Sequence, residues 1–156
     1  MPRIGIISDT HGLMRPEALG ALEGVERIIH AGDIGGSHIL TELGRVAPVT
    51  AVKGNNDKGS WSEAIPSVLT LEIGAHAIYV IHDLAQMDVE PRSAGFAIVI
   101  SGHSHQPSVE RRDNVLYLNP GSAGPRRFRL PISIATLEID GTSIDARIHE
   151  LTTPRK

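Results

Sequence analysis

The chain has 156 residues, 40% of them hydrophobic and 21% charged, with a formal net charge of −3 at neutral pH. That length suits one domain spanning residues 1–156, and the mild acidity gives no basic face for non-specific nucleic-acid binding, although a nucleotide substrate stays open. The absence of cysteine excludes disulfides, zinc–thiolate sites and a cysteine nucleophile, and no apolar run approaches the roughly 18 residues of a membrane span, so a cytoplasmic location is expected.

With only one Trp, two Tyr and two Phe, the core must be built from Ile, Val, Leu and Ala. The apolar segment 4–7 predicts a first strand, and Pro16 opens a helix that runs to about Leu22, with Gly24 as its stop. Residues 27–30 read as a second strand. Ser37 can cap a helix reaching Leu43 before Gly44, and residues 49–52 form a third strand. Residues 68–73 and 77–81 flank Gly74, Ala75 and His76 as a hairpin. The continuous apolar run 96–100 is expected of a strand buried on both faces. Residues 109–112 and 115–118 flank Asp113 and Asn114, and residues 132–139 and 144–148 flank Asp140 and Gly141, the strongest turn signal in the chain. The first half thus alternates strand and helix while the second half is mainly hairpins, which predicts one α/β domain with a mixed sheet or two packed sheets.

The residues just beyond the strands carry the chemistry. The first strand releases Asp9-Thr10-His11, the second Gly32-Asp33, and the third Gly54-Asn55-Asn56-Asp57. The segment 77–81 releases His82-Asp83, and 96–100 leads into Gly102-His103-Ser104-His105. In α/β sheets the carboxyl ends of strands are where ligands bind, so seven donors would meet in one cleft: Asp9, His11, Asp33, Asn55, His82, His103 and His105. Three Asp/Asn oxygens and four imidazoles suit Mn²⁺, Fe, Ni²⁺ or Zn²⁺ better than Ca²⁺ or Mg²⁺. Gly32, Gly54 and Gly102 stand just before a donor, where a tight turn or close backbone approach is needed.

Each piece alone has a plainer meaning. Asp caps turns, Gly-Asn-Asn-Asp is a turn signal, and a single strand-end His is more often hydrogen-bonded than metal-bound. Their ordered occurrence at successive strand ends is what carries the reading. That ordered set, with the later Asn119-Pro120-Gly121-Ser122, resembles the calcineurin-like metallophosphoesterase superfamily, and within it the compact bacterial and archaeal phosphodiesterases of the YfcE/MJ0936 type. The likeness runs over roughly residues 3–150.

The resemblance implies a four-layer α/β/β/α sandwich with two divalent metals at the strand ends, Mn²⁺ foremost. One metal would take Asp9, His11, Asp33 and His105, the other Asp33, Asn55, His82 and His103, with Asp33 bridging. It implies a metal-dependent phosphoesterase, a phosphodiesterase above all, acting on a small phosphate ester. A metal-bridging hydroxide would serve as nucleophile, without a protein nucleophile. Relatives often form homo-oligomers. Two departures stand out: Asn56 replaces a His that relatives use toward the leaving group, and Asp83-Leu84 follows His82 where relatives commonly read Gly-His. Asn is no general acid. His30, Asp57 and Arg126 are further candidates for supporting the site or meeting substrate; His38, His76 and His149 fit no ligand spacing and are expected to be structural. The competing expectation is a metal-bound protein-interaction scaffold of the same fold without turnover. An amidohydrolase, suggested only by His103-x-His105, needs a much longer barrel.

Overall fold

A computed structural model describes residues 2–152. Its first sheet has the order β10-β9-β1-β2-β3, built from β1 (Arg3–Ile7), β2 (Arg27–His30), β3 (Val49–Ala51), β9 (Ser133–Asp140) and β10 (Ser143–Glu150). The second has the order β4-β5-β6-β8-β7, from β4 (Val68–Ile73), β5 (His76–Ile81), β6 (Phe96–Ile100), β7 (Ser108–Arg112) and β8 (Val115–Asn119). Both sheets are mixed. β1, β2 and β3 run parallel in one, and β5, β6 and β8 run parallel in the other.

Side-chain alternation explains how the sheets stack. Ile4, Ile6 and Ile29 of the first sheet and Ile78, Val80, Ile98, Ile100, Leu116 and Leu118 of the second share one buried cluster between the sheets. The intervening residues Ile7 and Ile28 face the other way, against Ala18 and Leu22 of helix α1 (Pro16–Ala21) and its C-cap and Ile39 and Leu43 of helix α2 (Ser37–Gly44). On the second sheet Tyr79, Ile81, Val99 and Val115 form a third cluster on the outer face, covered by Leu84, Met87 and Val89. The layers are therefore helices, sheet, sheet, and the segment 82–95. That last layer is thin: its only helical element is the 3₁₀ turn Leu84–Gln86, with Asp83 accepting the Ala85 N–H as its cap.

The expected strands all form, with ends within two residues of expectation. The hairpin β4–β5 closes tighter than expected, since His76 belongs to β5 and pairs with Ile73. Asp113 and Asn114 both take positive φ, at 51° and 65°, which is the two-residue turn geometry that matches strand twist. The last hairpin returns across the chain: β9 pairs antiparallel with β1, so the carboxyl-terminal strands complete the amino-terminal sheet. Among the described residues no helix is long and apolar enough to cross a membrane.

Ile98 is fully buried where the two sheets meet. Ile98→Ala is expected to destabilise the protein by about 2–5 kcal/mol, seen as a lower urea midpoint with the unfolding slope unchanged.

Candidate metal centre

All seven predicted donors lie on loops leaving the carboxyl ends of the parallel strands β1, β2, β3, β5 and β6. These loops are laced together by backbone bonds. Asp9 N–H donates to Gly32 O at 3.0 Å, His11 N–H to Asp33 O at 2.9 Å, and Gly102 N–H to His82 O at 2.9 Å. Two further bonds cross between the sheets: His103 N–H donates to Asp9 Oδ2 at 3.0 Å, and His82 Nδ1 to Ala31 O at 2.8 Å. The second of these requires the proton on Nδ1, so the Nε2 lone pair of His82 faces inward.

Five of the predicted donors, Asp9, His11, Asp33, His103 and His105, hold positive φ between 48° and 73°. Backbone of this kind is disfavoured for residues with a Cβ and persists where the surroundings impose it. The preceding glycines are imposed by contact. A Cβ on Gly102 would collide with Ser8 Oγ and Asp9 Oδ2, and one on Gly54 with the backbone nitrogen and Oδ1 of Asp33. Each loop therefore passes over a neighbour's carboxylate with room for no side chain.

The donor atoms form two groups, Asp9–His11–His105 and Asp33–His82–His103, each with its atoms within 4.8 Å of one another. In the first, Asp9 Oδ1 lies 3.4 Å from His105 Nε2 and 3.6 Å from His11 Nε2. In the second, Asp33 Oδ2 lies 3.2 Å from His82 Nε2. The groups adjoin through Asp33, whose Oδ2 is also 3.7 Å from His11 Nε2. Donors each about 2.0–2.2 Å from one ion stand roughly 3.0–3.5 Å apart, the range of the closer separations here. Among the described residues Asp9 Oδ1 and His82 Nε2 are buried without a hydrogen-bond partner, and so is His105 Nδ1. Leaving such atoms unsatisfied is costly, and a cation in contact with Asp9 Oδ1 and His82 Nε2 would remove that cost for those two. The residues present fit a divalent metal pair.

The predicted donors differ in setting. Asp9, Asp33, His82 and His105 are buried, whereas the side chain of His103 is 46% exposed, with Nε2 3.8 Å from Asp83 Oδ2. Asn55 is exposed and lines a cleft beside His82. Asn56 is engaged with Asp33: its backbone N–H donates to Oδ1 at 3.0 Å and its side-chain amide to Oδ2 at 3.1 Å. Asp57 accepts three backbone N–H groups, from Ile34, Gly35 and Gly54, and so ties the loop after β2 to the loop after β3. Arg126 lies on an exposed turn and donates to Leu130 O. His38, His76 and His149 bond Gly12 O, Gly141 O and Thr136 Oγ1, and none of them belongs to either donor group.

Several supporting residues carry no sequence signal of their role. Ser8 Oγ donates to Asp9 Oδ2 at 2.7 Å, leaving Oδ1 to face the imidazoles. Asn119 Nδ2 donates to Gly102 O and Ser104 Oγ, holding the His103 loop, and Ser122 Oγ donates to Asp9 O. Asn119 and Ser122 stand in a recognisable tetrapeptide, but their hydrogen bonds reach loops more than ten residues away and leave no local pattern.

Burial opposes ionisation of Asp9, but the contacts with His105, His11 and Ser8 outweigh it and hold its pKa far below the ordinary carboxylate range. Asp33 follows the same balance. Burial raises its pKa, the His82 imidazole 3.2 Å away and the bond from the Asn56 N–H lower it, and the net value is about 2. Burial lowers the His82 pKa, yet the carboxylates of Asp33 and Asp9 raise it above the ordinary value. His30 is dominated by its complete burial, which brings it down to about 4. It accepts the Gly32 N–H at Nδ1, so Nε2 carries the proton and donates to Thr10 Oγ1, whose hydroxyl passes on to Ile34 O. A neutral imidazole thereby joins the Asp9 and Asp33 loops.

Residues 2–142 match the calcineurin-like phosphoesterase superfamily domain, and the chain belongs to that superfamily. It is 40% identical over 157 residues to a probable metallophosphoesterase of Methanothermobacter thermautotrophicus, covering 93% of this chain and 90% of that protein. A solved structure described as a novel archaeal phosphodiesterase superposes with a TM-score of 0.78 at 26% identity, covering 94% of this chain and 99% of that one. Vps29 of Chaetomium thermophilum shares the fold at 14% identity, with a TM-score of 0.78 and 98% of each chain covered.

The His30 environment predicts a pH effect whose sign is set by proton uptake. Its folded pKa of about 4 lies below the ordinary 6.5, so below pH 6.5 the unfolded chain takes up a proton that the native state refuses. The stability contributed by neutral His30 is present above pH 6.5 and is lost as the pH falls toward 4. NMR titration of the His30 ring should show no protonation down to about pH 5, and His30→Gln should flatten the loss of stability between those limits.

Proposed function

We propose that this protein is a dinuclear-metal phosphodiesterase, in which Asp9, His11, Asp33, Asn55, His82, His103 and His105 hold two divalent ions, Mn²⁺ foremost. The observation that carries the reading is the pair of adjoining donor groups that meet at Asp33, with Oδ2 within 4 Å of imidazoles from both. A metal pair bound there would supply Lewis acidity for the phosphoryl oxygens and a hydroxide nucleophile at neutral pH.

The chain's own part is to hold anionic and imidazole donors in place before substrate arrives. Asp9 and Asp33 are ionised at neutral pH, so they contribute two negative charges against the cations' four and leave a cationic site for an anionic ester. Ser8, Asn56 and Asp57 fix which oxygen or loop faces the centre. The backbone and imidazole bonds of His82 and His30 set their tautomers.

Asn56 turns its amide toward Asp33 and has no proton to release to a departing alkoxide. The reading is therefore of an enzyme favouring esters with acidic leaving groups. His103 stands at the exposed side of the second donor group beside Asp83, where substrate would enter.

Hydrolysis of bis-p-nitrophenyl phosphate is expected with Mn²⁺, to vanish on complete chelation, and to return on reloading. Asp33→Ala and His82→Ala should each lower kcat/KM by more than about a hundredfold, beyond what loss of a supporting contact costs. Across a series of aryl diesters, kcat should fall steeply as the leaving-group pKa rises, and Asn56→His should flatten that slope. Activity that survives metal removal or either alanine substitution overturns the proposal. Two bound metals without turnover across a broad ester panel would instead support the scaffold reading.

A further inference from the structure

A cleft of roughly 270 Å³ opens directly against the second donor group, lined by Asn55 and His82 together with Lys53, Lys58, Ser67 and Gln86. Its composition is unusual for this chain. Of the 15 basic residues only three are lysines, at positions 53, 58 and 156, and two of those three line this one cleft. An arginine fork favours planar bidentate contacts, whereas a lysine ammonium is a compact point charge suited to a phosphate or carboxylate held from several directions. Among the described residues neither Lys53 nor Lys58 has an ion-pair partner, whereas Arg3, Arg112 and Arg147 are each matched to a carboxylate.

Among the described residues neither carboxylate of the cleft, Asp57 or Asp83, forms an ion pair with a lysine; each makes other contacts. Asp57 turns its oxygens to the N–H groups of Ile34, Gly35 and Gly54. Asp83 accepts the Ala85 N–H with Oδ1 and turns Oδ2 toward His103. Ser67 and Gln86 add neutral hydrogen-bonding groups to the lining. Pro66 O accepts the Lys53 N–H, which fixes the lysine's backbone to the segment carrying Ser67. The cleft thus adjoins His82 and counts in its lining two lysines that, among the described residues, have no ion-pair partner.

We propose that this cleft is a subsite for a second anionic group, phosphate or carboxylate, borne by one of the esterified groups of the substrate. The inference rests on the phosphodiesterase reading and names its substrate class: diesters with an additional anionic group within reach of the reacting phosphorus. Lys53 and Lys58 bind that group, while Ser67 and Gln86 orient it by hydrogen bonding.

The test compares the p-nitrophenyl ester of thymidine 5′-phosphate with its 3′-phosphorylated and 3′-carboxymethylated counterparts on the Mn²⁺-loaded protein. The phosphorylated or the carboxylated ester is expected to have kcat/KM about tenfold or more above the 3′-hydroxyl ester, mainly through KM, as charge-assisted hydrogen bonds would give. Whichever anion gives the larger advantage identifies the group. In the double variant Lys53→Gln/Lys58→Gln that ratio should collapse to about one. Equal kcat/KM for all three esters in the wild type overturns the subsite while leaving the phosphodiesterase reading intact. If no ester is hydrolysed, the activity reading fails, and NMR of the metal-free protein decides the subsite separately. Thymidine 3′,5′-bisphosphate should shift the amides of Lys53, Lys58, Ser67 and Gln86 saturably in the wild type and leave them unmoved in the double variant. Unmoved amides in the wild type overturn the proposal.

Discussion

The meeting of two buried carboxylates, Asp9 and Asp33, within a ring of imidazoles is the constraint to which the rest of the molecule answers. Two like charges taken out of water repel and lose hydration, and neither loss is recovered unless cationic or donor groups surround them. The protein recovers part of it with groups of its own. Ser8 and the His103 N–H hold one oxygen of Asp9, and Asn56 holds both oxygens of Asp33. What remains among the described residues, the inward Asp9 Oδ1 and the Nε2 of His82, has no hydrogen-bond partner and favours a cation there. A chain that needed only stability would place apolar residues there.

The fold makes that arrangement possible by packing two sheets whose parallel strands deliver their carboxyl ends to one edge. β1, β2 and β3 bring Asp9, His11, Asp33 and Asn55; β5 and β6 bring His82, His103 and His105. An Ile- and Leu-rich interface between the sheets fixes their relative placement, so loops from different sheets can exchange hydrogen bonds such as His103 N–H to Asp9 Oδ2. A close-packed interior has few alternative arrangements, and this rigidity lets strained, left-handed loop residues persist at the edge. Local strain is concentrated where the donors are and borne by the packing beneath them.

Around this shared frame the rim is where the chain is individual. Asn56 and Asp83 depart from the pattern expected of relatives, and both are engaged with donor residues: Asn56 with Asp33, and Asp83 with His103. The cleft with Lys53 and Lys58 begins beside them. A metal pair would serve any phosphate ester in the same way, whereas rim groups of this kind touch only particular substrates.

Periodicity and punctuation alone determined the elements. Short β-branched runs are readable because strand side chains alternate, and Asp113-Asn114 is readable because few residues accept positive φ in succession. The positions of the candidate donors were legible too, since each stands within a few residues of a strand end, and Gly54 and Gly102 marked two of the close approaches. What the sequence did not hold was pairing between distant segments. That β9 joins β1, that the last layer thins to a 3₁₀ turn over Tyr79 and Val99, and that Asn119 and Ser122 reach back to the Gly102 and Asp9 loops are all decided by tertiary packing. Asp57 reads first as a turn residue, yet its carboxylate clamps three backbone N–H groups, two of them on the far side of a crossover. Local preferences act over a few residues and leave a pattern in the chain. Hydrogen bonds between loops depend on which strands become neighbours, and that neighbourhood exists only once the two sheets have closed on each other.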